Sequence, residues 1–487
     1  MTEKTVIALD KKVRMPDATF IENGTLDVAD GKILCAHAEA YVVGQEALQE
    51  EFRVQIKTVF FALVLTEDNK CEQKTASFES SRLLSQKGLN GSTKGDFSVK
   101  VERCSYSEKS GEMTAEETLS GWYIQPVEAN VLPCSDDLVC RTEKHVASRS
   151  DVVLTNHYQT CGDEMRMPIR TILDCSATAI INDVLPGEGS FRAEGETTLR
   201  VLALTDNDQY LSQVFSHPFA ADVVASCESG SNIDVNCTVV RCDPTLSDGD
   251  ARAFSTDIEI SLAADISTPV EIEVVTDCYS VEKEVVVKKE TVTFERGFCT
   301  KTLSDKASDT LETGNVVNEI YACVYPYVKT AKALLSEGVT VDGSIATTVL
   351  FADENNLPSA KEMEIPFSVR YNGEYPCGDL YPTVKIRSIS ARLKTGSAID
   401  VTVEYAVTVR GSDEKSLSYL SEATLTDDKL PDEAAICLYP VKPGEDLFDV
   451  AKAMNCREET LLKLNPELTL PLVGGEKILL YNEIVEE

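Results

Sequence analysis

Two stretches decide how this chain is read: Glu194 to Asp208 (EGETTLRVLALTDND) and Asp342 to Asn356 (DGSIATTVLFADENN), which align without a gap at an offset of 148 residues. At the same offset His217-Pro218-Phe219 lies over Ile365-Pro366-Phe367, and Cys175 lies over Cys323. A weaker third copy comes earlier: Thr58 to Asn69 (TVFFALVLTEDN) resembles Thr197 to Asp208, and Cys35 falls within one residue of the equivalent cysteine. A period this long signals duplicated domains, because solenoid repeats run only some 20–50 residues. Each copy reads as β, an apolar run closed by a T-D-N or D-E-N-N turn whose Asp and Asn side chains favour tight reversal. Downstream, Val401, Val403, Tyr405, Val407 and Val409 alternate with other residues, the period-two pattern of a half-buried strand. Ile258, Ile260 and Leu262 repeat the pattern, as do Val270, Ile272 and Val274. No long amphipathic helix is legible before residue 440. The expected fold class is therefore mainly β, tandem antiparallel sandwich-like modules followed by a small C-terminal unit.

The bulk properties narrow the partners. In 487 residues, 81 acidic side chains face 46 basic ones, a formal net charge of -35. That field repels phosphate backbones and anionic lipid, so neither nucleic acid nor membrane insertion is expected. The longest wholly apolar run, Val59 to Leu65, is far short of the roughly 20 residues of a membrane helix. No signal peptide is read at the start of the sequence, which leads to the expectation of a cytoplasmic protein. Its sixteen cysteines then default to reduced thiols packed as small hydrophobes.

No catalytic set emerges. G-x-S-x-G, Walker A and G-x-G-x-x-G are missing, His37, His145 and His157 are scattered, and no C-x-x-C pair suggests zinc. Neither a catalytic residue, a cofactor nor a metal site is expected. His217 reads as framework because its equivalent is Ile365, and Cys175 and Cys323 read as a shared core position. Trp122, the one tryptophan, is expected in a core.

Beyond Thr424 to Glu433, read as a polar linker, the pattern changes. Ile436 to Tyr439 forms a short strand, Pro443-Gly444-Glu445 turns, and Asp446 is placed to cap a helix carrying Leu447, Val450, Ala451 and Met454 on one face. A second helix holds Leu461, Leu462 and Leu464 and stops at Asn465-Pro466. Lys477 to Tyr481 closes a βααβ module.

Tyr439 to Lys452, Leu461 to Pro466 and Gly475 to Leu480 together resemble a LysM domain. The resemblance implies a groove between two loops, Gly444, Glu445, Asp446, Leu447 and Phe448 on one side and Asn465, Pro466, Glu467 and Leu468 on the other. It further implies binding to N-acetylglucosamine glycans such as peptidoglycan. This sequence departs from the family where Gly-Asp-Thr becomes Gly444-Glu445-Asp446, and residues 437–487 hold ten acidic and five basic residues. An acidic groove suits a glycan bearing carboxylates poorly.

Ile172-Leu173-Asp174-Cys175, Val275-Thr276-Asp277-Cys278-Tyr279-Ser280 and the Gly195, Pro218-Phe219, Gly343 and Pro366-Phe367 positions resemble the SPOCS domain. The two resemblances imply four domains: residues 1–150, β-rich and degenerate SPOCS-like; 151–297 and 298–430, SPOCS; and 436–482, LysM. They imply a non-enzymatic spore coat morphogenesis scaffold in the mother-cell cytoplasm, recruited to the forespore surface. There the LysM module would contact a coat-basement morphogenetic ATPase, and other spore coat proteins would dock. A peptidoglycan- or cortex-binding protein using LysM as a glycan clamp is the alternative.

Overall fold

A computed structural model describes residues 5–28, 31–336, 338–372, 380–429 and 436–481. The chain is mainly β, and its first nineteen strands form one arrangement three times over.

The first unit comprises β1 (Thr5–Arg14), β2 (Ala18–Thr25), β3 (Lys32–Ala47), β4 (Glu51–Leu65), β5 (Cys71–Ser85), β6 (Gly95–Tyr106) and β7 (Glu112–Val131). The second has β8 (Val139–Glu164), β9 (Ile169–Pro186), β10 (Ser190–Thr205), β11 (Tyr210–Val224), β12 (Asn232–Leu246) and β13 (Ala253–Tyr279). The third has β14 (Lys283–Glu312), β15 (Glu319–Ser336), β16 (Gly338–Ala352), β17 (Pro358–Tyr371), β18 (Leu380–Thr395) and β19 (Ala398–Lys429).

In each unit an antiparallel three-stranded meander, β3-β4-β5, β9-β10-β11 or β15-β16-β17, faces a second sheet in which the first strand pairs with the last and the last with its predecessor. The first unit differs only in that Pro16, which has no amide to donate, separates β1 and β2; both then pair along β7. The weak third copy is thus a complete unit. Its β5 and the equal-length β11 stand 139 residues apart.

The expected boundaries at 150/151 and 297/298 fall inside β8 and β14, and β19 continues through the first half of the expected linker. Leu430 to Glu433, like Asn482, lies outside the described residues.

The alternating runs behave as their period requires. Val401, Val403, Tyr405, Val407 and Val409 are all buried in the core of the third unit, and Ile258, Ile260 and Leu262 in that of the second. Two further cores join the units. Leu63, Leu202 and Leu350, which occupy equivalent places in β4, β10 and β16, meet in one cluster with Cys35, Leu173 and Tyr325. Past the sandwiches, the long first and last strands converge in a second cluster, where Leu9 and Val131, Ile272 and Val274, and Phe294 and Leu417 pack together.

The C-terminal module consists of β20 (Ile436–Pro440), α1 (Leu447–Ala453), α2 (Glu458–Leu464) and β21 (Lys477–Tyr481), with β20 and β21 antiparallel. Asp446 is the N-cap: its carboxylate accepts from the Asp449 amide at 3.0 Å while Asp449 accepts from the Asp446 amide at 3.1 Å. This reciprocal box satisfies two amides that the first turn leaves unpaired. Leu447, Val450, Ala451 and Met454 face inward against Leu461, Ile478 and Leu480.

Candidate functional sites

The two loops read as a groove have different fates. On the first, Gly444 takes the turn with φ of 90° and is exposed, whereas Leu447 and Phe448 are buried. Glu445 is held in place: Tyr439 Oη donates to its Oε1 at 2.9 Å and the Lys442 amide to its Oε2 at 2.8 Å. These donors, the backbone amide first, hold its carboxyl below the ordinary glutamate range. On the second loop, the Asn465 amide nitrogen donates to the Leu461 and Leu479 carbonyls at 2.8 Å each, and its oxygen accepts from the Leu479 amide at 2.9 Å. Asn465 therefore ties α2 to β21 and has little bonding capacity left for a ligand. Pro466 and Glu467 are exposed, and Leu468 packs with Leu447 and Phe448 in the module's core.

The second unit braces the α1 side of this groove, although Gly444 and Asp446 stay exposed. Arg141 of β8 bonds Asp446 at 2.5 Å and Asp449 at 2.9 Å, and its guanidinium lies 4.3 Å from the centre of the Phe448 ring. Burial would raise the Asp449 carboxyl, but the Asp446 amide and Arg141 together hold it below its ordinary value. Tyr279 meets Phe448 edge-on at 5.2 Å and donates to the Cys456 carbonyl at 2.8 Å. Lys452 reaches Asp277 at 2.6 Å, and Arg457 donates to the Asp136 carbonyl at 2.9 Å. The Val275 to Ser280 motif thus supplies the seat of the C-terminal module, a role its sequence alone does not announce.

A second feature was not legible in the sequence. Where the three units meet, a cavity of about 1430 Å³ is walled by strands from all of them. At one part of its wall Lys12 pairs with Asp265 at 2.6 Å and with Glu295 at 3.5 Å, and Arg410 pairs with Asp265 and, at 3.7 Å, with Asp234. Trp122 is not enclosed in a unit core. It lines this cavity half-buried, with Lys12 Nζ 4.6 Å from its ring centre and Arg410 at 5.9 Å. Desolvation, and then the Arg410 charge, pull the Lys12 ammonium down to about 7, and burial lifts the nearby Asp96 carboxyl to about 6.

The other residues singled out by sequence lie elsewhere in the fold. His217 bonds Asp163 at 2.9 Å, while Ile365 is fully buried. Cys175 and Cys323 pack against the cores of their own units, but Cys35 faces the cluster between units. A displacement of one residue along a strand reverses the face. Among the described residues no group of three or more His, Cys, Asp or Glu is placed to hold a metal ion, and no helix is long and apolar enough to cross a membrane. No protein-family model, curated protein or solved structure matches this chain.

Proposed function

We propose that the chain is a non-enzymatic binding scaffold: the three β units form a platform, and the C-terminal module docks on another protein. The carrying observation is what the module's acidic loop already grips. Asp446 and Phe448 are engaged by an arginine and a tyrosine of the second unit, so this loop has the chemistry to recognise a basic and aromatic protein surface. A glycan clamp would need Leu447 and Phe448 free, and both are buried. Gly444, Pro466 and Glu467 remain accessible for a partner. The LysM and SPOCS resemblances supply the setting: assembly of a spore coat at the forespore surface, with a coat-basement morphogenetic ATPase as the partner.

Binding of the purified full chain to that ATPase, set against its sedimentation with peptidoglycan, tests the reading. We expect saturable ATPase binding, weakened at least about tenfold by Glu467→Lys, and little sedimentation. Firm sedimentation with peptidoglycan and no ATPase binding would reverse the assignment.

A further inference from the structure

We propose that the cavity between the three β units is a binding site for a small, multiply charged anion carrying phosphate or carboxylate groups. The first reason is an inversion of charge. The chain as a whole is strongly acidic at -35, yet eight lysine and arginine side chains line this cavity against four carboxylates; Lys12, Arg14, Arg241 and Arg410 are ion-paired, and the other four carry the excess.

Those carboxylates are largely occupied. Asp234 lies 3.7 Å from Arg410, and Glu414 lies 3.7 Å from Lys11. Glu259 accepts from Asn156 at 2.8 Å and from Tyr158 at 3.0 Å. Asp96, lifted by burial, carries less than a full charge in mildly acidic solution.

Several cations are not so occupied. Among the described residues, Lys57 and Lys332 have no carboxylate within ion-pair distance. Lys385 touches only neutral groups, the carbonyls of Cys237 and Ala179 and the Cys237 thiol. Arg387, whose charge is felt by Glu404, still has a buried Nε with no hydrogen-bond partner. Lys57 and Lys385 are half-buried; cations held partly out of bulk water without a counter-charge are costly, and an incoming anion relieves that cost.

Size and field narrow the ligand class. Typical small-molecule pockets are roughly 300–1,000 Å³, so this cavity has room for more than a single simple anion. A long polyanion such as nucleic acid would meet the acidic exterior first and be repelled, whereas a small one can enter and be held by the inverted local potential. Lys332, Tyr158 and Leu334 are exposed along the lining, so the cavity communicates with solvent.

Calorimetric titration of the full chain with inorganic tripolyphosphate and, separately, with citrate is the test. Saturable binding of either is expected, the probe that binds telling phosphate from carboxylate as the natural chemistry. The Lys57→Gln/Lys332→Gln variant, which removes no ion pair, should keep its melting temperature and bind at least about tenfold more weakly. Should that variant misfold, the unaltered chain still reports: the bound anion should shield Lys57 and Lys332 from acetylation, read by mass spectrometry. Absence of saturable binding by both probes up to millimolar concentration would overturn the proposal, as would binding that neither depends on these lysines nor shields them.

Discussion

At the scale of the residue, the repeat at an offset of 148 residues has a steric cause. Gly195 stands directly across from Phe219, and Gly343 from Phe367. A Cβ on Gly343 would come within 2.5 Å of the Phe367 ring and 2.2 Å of the Thr330 carbonyl oxygen; on Gly195 it would meet Phe219 at 2.6 Å and the Ile180 oxygen at 2.5 Å. The ring occupies the space that the missing side chain leaves. In the first unit the corresponding cross-strand pair is Ile56 and Ser80, with the bulk on the opposite strand. This exchange preserves the packing and erases the glycine–phenylalanine signal, which is one reason the first copy reads faintly. Gly343→Ala is expected to destabilise the chain by about 2–3 kcal/mol in urea unfolding, the scale of a core overpacking that backbone must absorb. Asp96 carries a pH dependence. Burial raises its folded pKa to about 6, above its ordinary value of 3.8, so its stabilising contribution is complete below pH ~4 and disappears as pH rises through ~6. At roughly 1.4 kcal/mol per unit, discounted for partial exposure to the cavity, that step is about 2 kcal/mol. Asp96→Asn should therefore gain stability relative to the unaltered chain between pH 4 and 7, measured as the difference between their urea midpoints.

At the scale of the element, α1 is a seven-residue helix, too short to persist in isolation, and its N-cap is shared between its own backbone and Arg141 of another unit. Tertiary contacts carry much of its stability. Arg141→Ala should leave Asp446 and Asp449 facing each other without a counter-charge and loosen the seat by about 1–2 kcal/mol. Hydrogen exchange in residues 436–481 should then quicken roughly tenfold while the β units keep their protection. Unchanged exchange would mean that the Tyr279, Lys452 and Arg457 contacts suffice to hold the module. The helices and strands of the module were legible because capping and 3.6-residue periodicity are local. That the α1 end of its groove is braced by another unit was not, because Arg141 lies 305 residues from Asp446 along the chain.

At the scale of the whole molecule, the clusters around Leu202 and around Phe294 draw side chains from all three units, so none of the units has an apolar surface complete without the others. Residues 5–429 should unfold in one calorimetric transition instead of three. Lys12→Met tests the ionic junction: Glu295, only 1% exposed, would lose its one observed ion pair, and overall stability should fall by about 3 kcal/mol. Three resolved transitions, or a Lys12→Met effect confined to the first, would show the junction to be weak. The sequence by itself determined the β class, the 148-residue period, the buried faces of the alternating strands and the βααβ order, because each depends on neighbours a few residues apart or on a duplicated pattern. Tertiary structure alone decided where the strands of one unit yield to the next, that Cys35 and Trp122 face the spaces between units, and that basic side chains gather inside an acidic chain. Those outcomes depend on which distant surfaces meet, and a linear pattern of polarity says that a face must be covered without naming what covers it.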